Sequence, residues 1–469
     1  MRSLWILSLG LLLALVSASA RILNVPGEYT TIQAGINASI NGDTVLVAPG
    51  EYTEIDTVQD KNILLTSAQG PESTVLHGYF NLWGASIDST CILRGFDING
   101  NNINIGSDHL VYIRYGSPII SANIIEDNSS ESWGAGVKID TSMAIIRSNI
   151  IRDNWSYTQG GGIVSFGYPV IIEANIISGN RAGSLPEFGD EAGISARGII
   201  RYNLITNNAA MRMIYHARAG GISTSANSSK VYNNTIIGNV AAGDGGHGYG
   251  GGVYISSYGQ NGTGFIKNNI IAYNLHGNGV WGDIADSAYL NWDYNLVFGN
   301  DSANYVGFLP GPHDIQADPL FIDRFSGDYH LLSNSPCIDT GDPSLPLDPD
   351  STRSDIGAYF FDQSMGIDED RTPPGPYQFT LSQNYPNPFN AQTIISYNLD
   401  KEATVSLHIY SIMGHLILPL VNKEVQKEGA HKYTWEGRDY KGQMVSTGIY
   451  FYELYVNGIR ESKAMILMK

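Results

Sequence analysis

Cysteine is nearly absent, with Cys91 and Cys337 the two in 469 residues. That excludes a disulfide framework and a cysteine-built metal site. Charged residues make up 15% of the chain, well below the usual ~25%. Basic groups are the scarcer sign, 27 Lys and Arg against 45 Asp and Glu, for a net charge of −18. Phosphate binding needs clustered Lys and Arg, so nucleic acid is excluded as a partner. Long apolar runs are missing too. The N-terminal run from Leu4 to Val16 is thirteen residues, short of the ~20 a membrane helix needs. With Arg2 before it and Ala18-Ser19-Ala20 after it, it reads as a signal peptide over residues 1–20, leaving no integral membrane segment after cleavage.

What the chain has in excess is glycine, 53 residues, about a tenth against the usual ~7%. Many tight turns follow. A six-residue pattern, Asn-apolar-apolar-x-x-Asn with small variations, recurs seven times, beginning at Asn123, Asn149, Asn175, Asn203, Asn234, Asn269 and Asn295. Successive starts differ by 26, 26, 28, 31, 35 and 26 residues, the period of a solenoid. Between them recurs a Gly-rich strand entry: Gly134 to Val137, Gly160 to Ile163, Glu191 to Ile194, Ala219 to Ile222 and Gly250 to Val253. No stretch of the cycle shows the 3.6-residue helical period and β-branched residues dominate, so helical solenoids are excluded. Three short strands per turn, each pairing with its equivalent in the next, give an all-β parallel β-helix rising about 4.8 Å per coil. The asparagines are read as structural, tolerating left-handed corners and stacking in a hydrogen-bonded ladder. Cys91 lies before the first motif and Cys337 after the last, so roughly 29 Å separates them. A disulfide needs α-carbons within about 7 Å, and the two are expected to stay apart.

Raw strand edges at the ends of such a stack need covers. At the start, Ile32, Ile36 and Ile40 fall at helical spacing within Tyr29 to Ile40, followed by the strand Thr44 to Val47. The opening, Tyr29-Thr30-Thr31-Ile32-Gln33 through Asn41-Gly42-Asp43-Thr44-Val45 and Pro49-Gly50-Glu51-Tyr52, resembles that of right-handed parallel β-helix proteins of the pectin lyase-like superfamily. The close, Asp318-Pro319-Leu320-Phe321, Ser335-Pro336-Cys337-Ile338-Asp339-Thr340-Gly341 and Asp355-Ile356-Gly357-Ala358-Tyr359, resembles their end segment. The resemblance implies a β-helix over residues 21–362.

A polar, Pro-rich linker over residues 363–376 separates a second composition. From Pro376 to Lys469 there are nine Lys and Arg against eight Asp and Glu, net +1, so the first 375 residues carry 18 against 37, net −19. Val405, Leu407 and Ile409 alternate with polar residues, and the short strands over residues 377–469 read as a small Ig-like β-sandwich. Asn384-Tyr385-Pro386-Asn387-Pro388-Phe389-Asn390, Trp435-Glu436-Gly437-Arg438-Asp439 and Ser446-Thr447-Gly448-Ile449-Tyr450 resemble the type A C-terminal sorting domain of type IX secretion. That implies the type IX machinery as a partner and a place outside a Gram-negative cell, secreted or on its outer surface.

Loop lengths locate a candidate binding face. From the closing Asn of each motif to the next strand entry the spans are 128→136 and 154→162, then 180→193, 208→221 and 239→252. Three consecutive thirteen-residue spans must raise one common wall. It and its neighbours carry Trp155, Phe188, Asp190, Glu191, Tyr215, Asp244 and Tyr249 as substrate-binding candidates, and Arg212, His216, Arg218 and His247 as catalytic candidates. Rings offer platforms for sugar faces, arginines address carboxylates and hydroxyls, and histidines titrate near neutrality. Asp190, Glu191 and Asp244 are candidate calcium ligands, as are the closing-segment Asp339, Asp342, Asp348, Asp350 and Asp355. No complete catalytic pattern of the superfamily's hydrolases is present, and whether the protein is an enzyme stays open. The expected partner is polysaccharide. A non-catalytic glycan-binding surface protein stands beside a polysaccharide lyase or glycoside hydrolase acting on an acidic, uronate-containing glycan.

Overall fold

The computed structural model describes residues 19–100, 110–131, 133–183, 190–212, 217–225, 229–243, 248–256, 264–282, 291–324, 327–363, 379–387, 389–399, 401–411, 416–456 and 459–467. The apolar run expected as a signal peptide and nearly all of the expected linker lie outside those residues.

Each coil visits three long parallel sheets in turn. Among the described residues sheet I has ten strands, from Ile55–Gln59 to Tyr305–Val306; sheet II has eleven, from Ile22–Val25 to Asn291–Asp293; sheet III has ten, from Gly50–Tyr52 to Leu296–Phe298. Like residues stack on like: Ile125, Ile151, Ile177 and Ile205 are successive partners in sheet III. Their side chains point inward and are fully buried, as are Ile146, Ile172 and Ile200 of sheet II and Ile163, Ile194 and Ile222 of sheet I. The result is one continuous β-branched core.

The expected three strands per coil are an undercount. Among the described residues five coils carry a fourth short strand, Ser129–Ser130, Trp155–Ser156, Arg181–Ala182, Ala209–Met211 and Val240–Ala242, which pair as sheet IV. They follow immediately on the second Asn of each motif, where pairing over two or three residues leaves little periodicity to read.

Both asparagines of the motif form ladders. Asn149 Nδ2 donates to Asn175 Oδ1 at 3.0 Å, and Asn154 Nδ2 to Asn180 Oδ1 at 3.0 Å. The same oxygens accept the backbone N–H of the coil before. The left-handed conformation, however, belongs to the residue ahead of each asparagine: Ala122, Ser148, Ala174 and Tyr202 have φ of +53° to +56°, and Asp127, Asp153 and Asn207 have φ of +56°. Asparagine is therefore kept for its side-chain amide, which satisfies buried backbone groups, and not for its backbone tolerance.

The glycine repeat answers to the second ladder. A Cβ at Gly162, Gly193 or Gly221 would sit 2.4–2.5 Å from the carbonyl oxygen of the equivalent glycine one coil on, and 3.2–3.3 Å from the Nδ2 of Asn180, Asn208 or Asn239. The two repeats touch, and each needs the other's residue type.

The opening helix is shorter than the periodicity suggests. It spans Ile32–Ala38, with the Thr31 side chain accepting the N–H of Ala34 at 3.0 Å. Ile32 and Ile36 are buried, but Ile40 is 47% exposed. The chain has already turned at Ser39, and Asp43 accepts the Ile40 N–H. At the other end, the antiparallel pair Phe321–Asp323 and Asp328–Leu331 begins a closing segment that lies on the outer face of sheet III. Cys91 and Cys337 are both buried and free. Beyond the linker, a three-stranded and a four-stranded antiparallel sheet enclose Ile395, Leu407, Trp435, Tyr452 and Met465. No helix among the described residues is long and apolar enough to cross a membrane.

Candidate functional site

The outer face of sheet I is built by register. Inward Ile163, Ile194, Ile222, Val253 and Val280 alternate with an outward row in which Val164, Ser195, Ser223, Tyr254 and Trp281 are successive partners. Coil spacing brings the last two rings into parallel stacking, centroids 5.0 Å apart at 3°. Tyr249 adds a third ring against Trp281 at 4.6 Å and 28°, and the Arg218 guanidinium lies 5.8 Å from the Tyr254 centroid. Tyr249 and Trp281 border an open cleft of about 570 Å³ with Asn278, Asp301 and Ser302. Flat rings beside hydroxyl, amide and carboxylate groups are the elements of sugar recognition.

Next along the face lies a charged cluster. Arg212 donates to Asp190 Oδ1 at 2.8 Å, Gln159 donates to Oδ2 at 3.2 Å, and Arg218 is 3.7 Å from Oδ2. In the strand-entry repeat Glu191 stands where other coils have Gly134 and Gly160. Its carboxyl is buried, with the Ser223 hydroxyl 3.4 Å from Oε1 and no hydrogen-bond partner for Oε2 among the described residues. Burial first and the Asp190 charge second push the carboxyl up to about 7, against the pull of Arg218 and Arg212. One carboxylate is thus locked in ion pairs while its neighbour can hold or release a proton near neutral pH.

The same face continues toward the N-terminus. A trough of about 220 Å³ is lined by Ser165, Ser195, Ser223, Ser225, Ser256 and Arg197 and ends at Phe166 and Tyr168. Below it, Trp83, Tyr115, Trp133 and Tyr168 are 39–51% exposed. Trp133 packs on Phe166 at 5.1 Å, and Arg114 lies 4.6 Å over Tyr115. None of these is among the substrate-binding or catalytic candidates, although Trp133 falls in the 128→136 span beside the wall. Their signal was present in the register, since Trp83, Arg114, Asp140 and Phe166 share one outward row.

Of the expected residues, the structure brings Asp190, Glu191, Arg212 and Arg218 together and sets Tyr249 at the adjoining ring stack. Trp155 lies apart in sheet IV, stacked on Tyr157 at 4.5 Å. Phe188, Tyr215, His216, Asp244 and His247 lie outside the described residues. Asp190 faces two guanidinium groups, which compete with any cation. The closing-segment carboxylates are already engaged: Asp355 accepts the N–H groups of Asp339 and Phe361, Asp348 that of Asp355, and Asp342 pairs with Lys267. Among the described residues no group of three or more His, Cys, Asp or Glu is placed to hold a metal. A separate cleft of about 790 Å³ lies at the sheet II–III corner, between Arg147, Glu173, Arg201 and Tyr202 and the closing-segment Leu347.

Fold and comparison agree on the class, an exported right-handed parallel β-helix. Residues 83–270 match the family described as Right handed beta helix region, and residues 383–468 match the Secretion system C-terminal sorting domain. The type IX sorting domain marks the protein as secreted or attached to the outer cell surface, and implies contact with the secretion machinery. No curated protein matches the chain. Among solved structures it is similar to dimeric latent PorU from Porphyromonas gingivalis, at 21% identity and TM-score 0.17, over 20% of this chain and 10% of that one. It is also similar to the PL6 family alginate lyase AlyGC, at 11% identity and TM-score 0.29, over 71% of this chain and 58% of that one. A variant of that lyase gives 12% identity and TM-score 0.27, over 79% and 61%. The chain therefore spans about three fifths or less of those proteins, and at these scores the likeness carries no argument about activity.

Proposed function

We propose that the protein binds polysaccharide along the outer face of sheet I, on the cell surface or in the medium. The observation that carries this reading is the Tyr249–Trp281–Tyr254 stack with Arg218 against it. Such rings supply apolar faces to sugar C–H groups, and the serine trough in line with them supplies hydroxyl partners. Arg212 and Arg218 favour an acidic or hydroxyl-rich glycan in a body whose net charge otherwise repels polyanions.

A second reading, cleavage of an acidic glycan by a lyase or hydrolase, is favoured by Glu191 alone. A buried carboxyl that titrates near 7 beside an ion-paired carboxylate has the proton inventory of a general acid or base.

Affinity electrophoresis of the full chain against uronate-containing and neutral polysaccharides, with and without calcium, separates these outcomes. Retardation without new chain ends supports binding. Unsaturated ends assign a lyase, and new reducing ends without unsaturation a hydrolase. Unretarded migration in every gel, with no cleavage, overturns both readings.

A further inference from the structure

The outer face of sheet III carries a second apolar row, on the side away from the core. Ile124, Ile150, Ile176, Leu204, Thr235, Ile270 and Leu296 are successive partners. Strands apolar on both faces belong in sheets covered on both faces. From Ile176 onward the cover is the closing segment, whose Phe321, Leu331, Cys337, Ile356 and Tyr359 cluster with Leu204, Ile270 and Leu296, with Ile176 packed against them. The row continues below that cover, and Ile124 is nevertheless only 5% exposed.

What meets the lower row is the chain's own C-terminal domain. A small cavity of about 170 Å³ is lined by Ile124 and Ile150 on one side and by Thr447, Gly448, Tyr450 and Ile466 on the other. The contact is continuous with the closing segment: the Phe451 ring lies 5.7 Å from His330 and 6.4 Å from Tyr359. Charge does not oppose it, since the body is net −19 and the C-terminal part net +1.

We propose that the lower isoleucine row of sheet III is a docking seat for the sorting domain, so that this domain is presented against the β-helix flank and is not carried on a free tether. The interface is intramolecular and formed by an apolar row meeting small and aromatic side chains. It is independent of the glycan face, which lies on sheet I.

The test uses the full chain with Ile150→Cys and Thr447→Cys together, treated with a short bifunctional thiol reagent. Cys91 and Cys337 are buried and free, so they stay silent. Bridging within one chain is expected for the pair and for neither single variant. Bridging between chains would assign the seat to a second copy, and an absence of bridging would leave it unoccupied; either overturns the proposal. Small-angle scattering of the unaltered protein provides a measurement free of folding artefacts. A single narrow distribution of interatomic distances is expected, and Ile150→Glu should broaden it and lengthen the maximum dimension. A broad distribution already in the unaltered protein would sink the docked arrangement.

Discussion

Two kinds of corner divide the labour in each coil. At the sheet II–III corner and the sheet III–IV corner, the same asparagine returns coil after coil, buried and hydrogen-bonded to its neighbours. At the corner between sheet IV and sheet I, spans lengthen from eight residues to thirteen and the side chains change from coil to coil. The constant corners fix register, because each amide bonds to the coil on either side and a one-residue slip would break the whole ladder. With register secured there, the third corner is released from any structural duty beyond its glycines. That is where charge, rings and a protonatable carboxyl have gathered.

The strongest way to break this contrast is to strike a constant corner. Asn208 donates to Ile177 O and Asn239 Oδ1, and its own Oδ1 accepts from Asn180. Asn208→Leu leaves several buried groups without partners at about 1–3 kcal/mol each, so a loss on the order of 4 kcal/mol is expected in denaturant unfolding. A loss below about 1 kcal/mol would mean that the ladder follows the register and does not set it.

The reverse pattern is expected at the variable corner. Tyr249→Ala with Arg218→Ala should weaken glycan retention by about tenfold or more, worth ~1.4 kcal/mol. The unfolding midpoint should move by no more than about 2 °C. If stability falls and retention holds, these side chains serve to pack the wall and the contrast between corners fails.

The smallest expected effect is a pH dependence. Burial, and then neighbouring carboxylates, raise Glu191 to about 7 and Asp355 to about 8; for Asp348 burial likewise leads and raises it to about 7. Each has a folded pKa above its unfolded value, so its contribution is fully present below about pH 4 and is lost as pH climbs through about 7 to 8. The unfolding midpoint should therefore decline between about pH 5 and about pH 9, and Glu191→Gln should flatten part of that decline. A midpoint that rises over the same range would show that these carboxyls are ionised in the folded protein.

Much of this was legible in the sequence because the solenoid is written in a period. The Asn-apolar-apolar spacing predicts the strands of sheet III, and the Gly-rich entries predict those of sheet I. Sheet IV was not legible, since two-residue strands such as Ser129–Ser130 are too short to show alternation. Nor was the contact between Gly162 and the Asn180 ladder, which joins residues that no local pattern relates. At the site, the loop-length arithmetic led to Asp190, Glu191, Arg212 and Arg218 through position alone. It could not reveal that Tyr254 and Trp281 stack, because only the register of sheet I brings rings 27 positions apart into line.

The asparagine ladders also have a direction. Along the first ladder each Asn Oδ1 accepts from the coil before, while Nδ2 donates one N–H to the Oδ1 of the coil that follows and another back to a carbonyl of the coil before, so the C=O bonds all point the same way and their dipoles add head to tail, as backbone dipoles do along a helix. The first ladder opens where Asn123 Oδ1 accepts the N–H of Phe96 and ends where the N–H of Asn295 meets Asp314 Oδ1, a carboxylate in the place of an eighth amide. An anion thus terminates the positive end of the array. The stack is polarised along its length, with its two ends electrically distinct, and a further coil could be added beyond Asp314 only by displacing the charge that closes it.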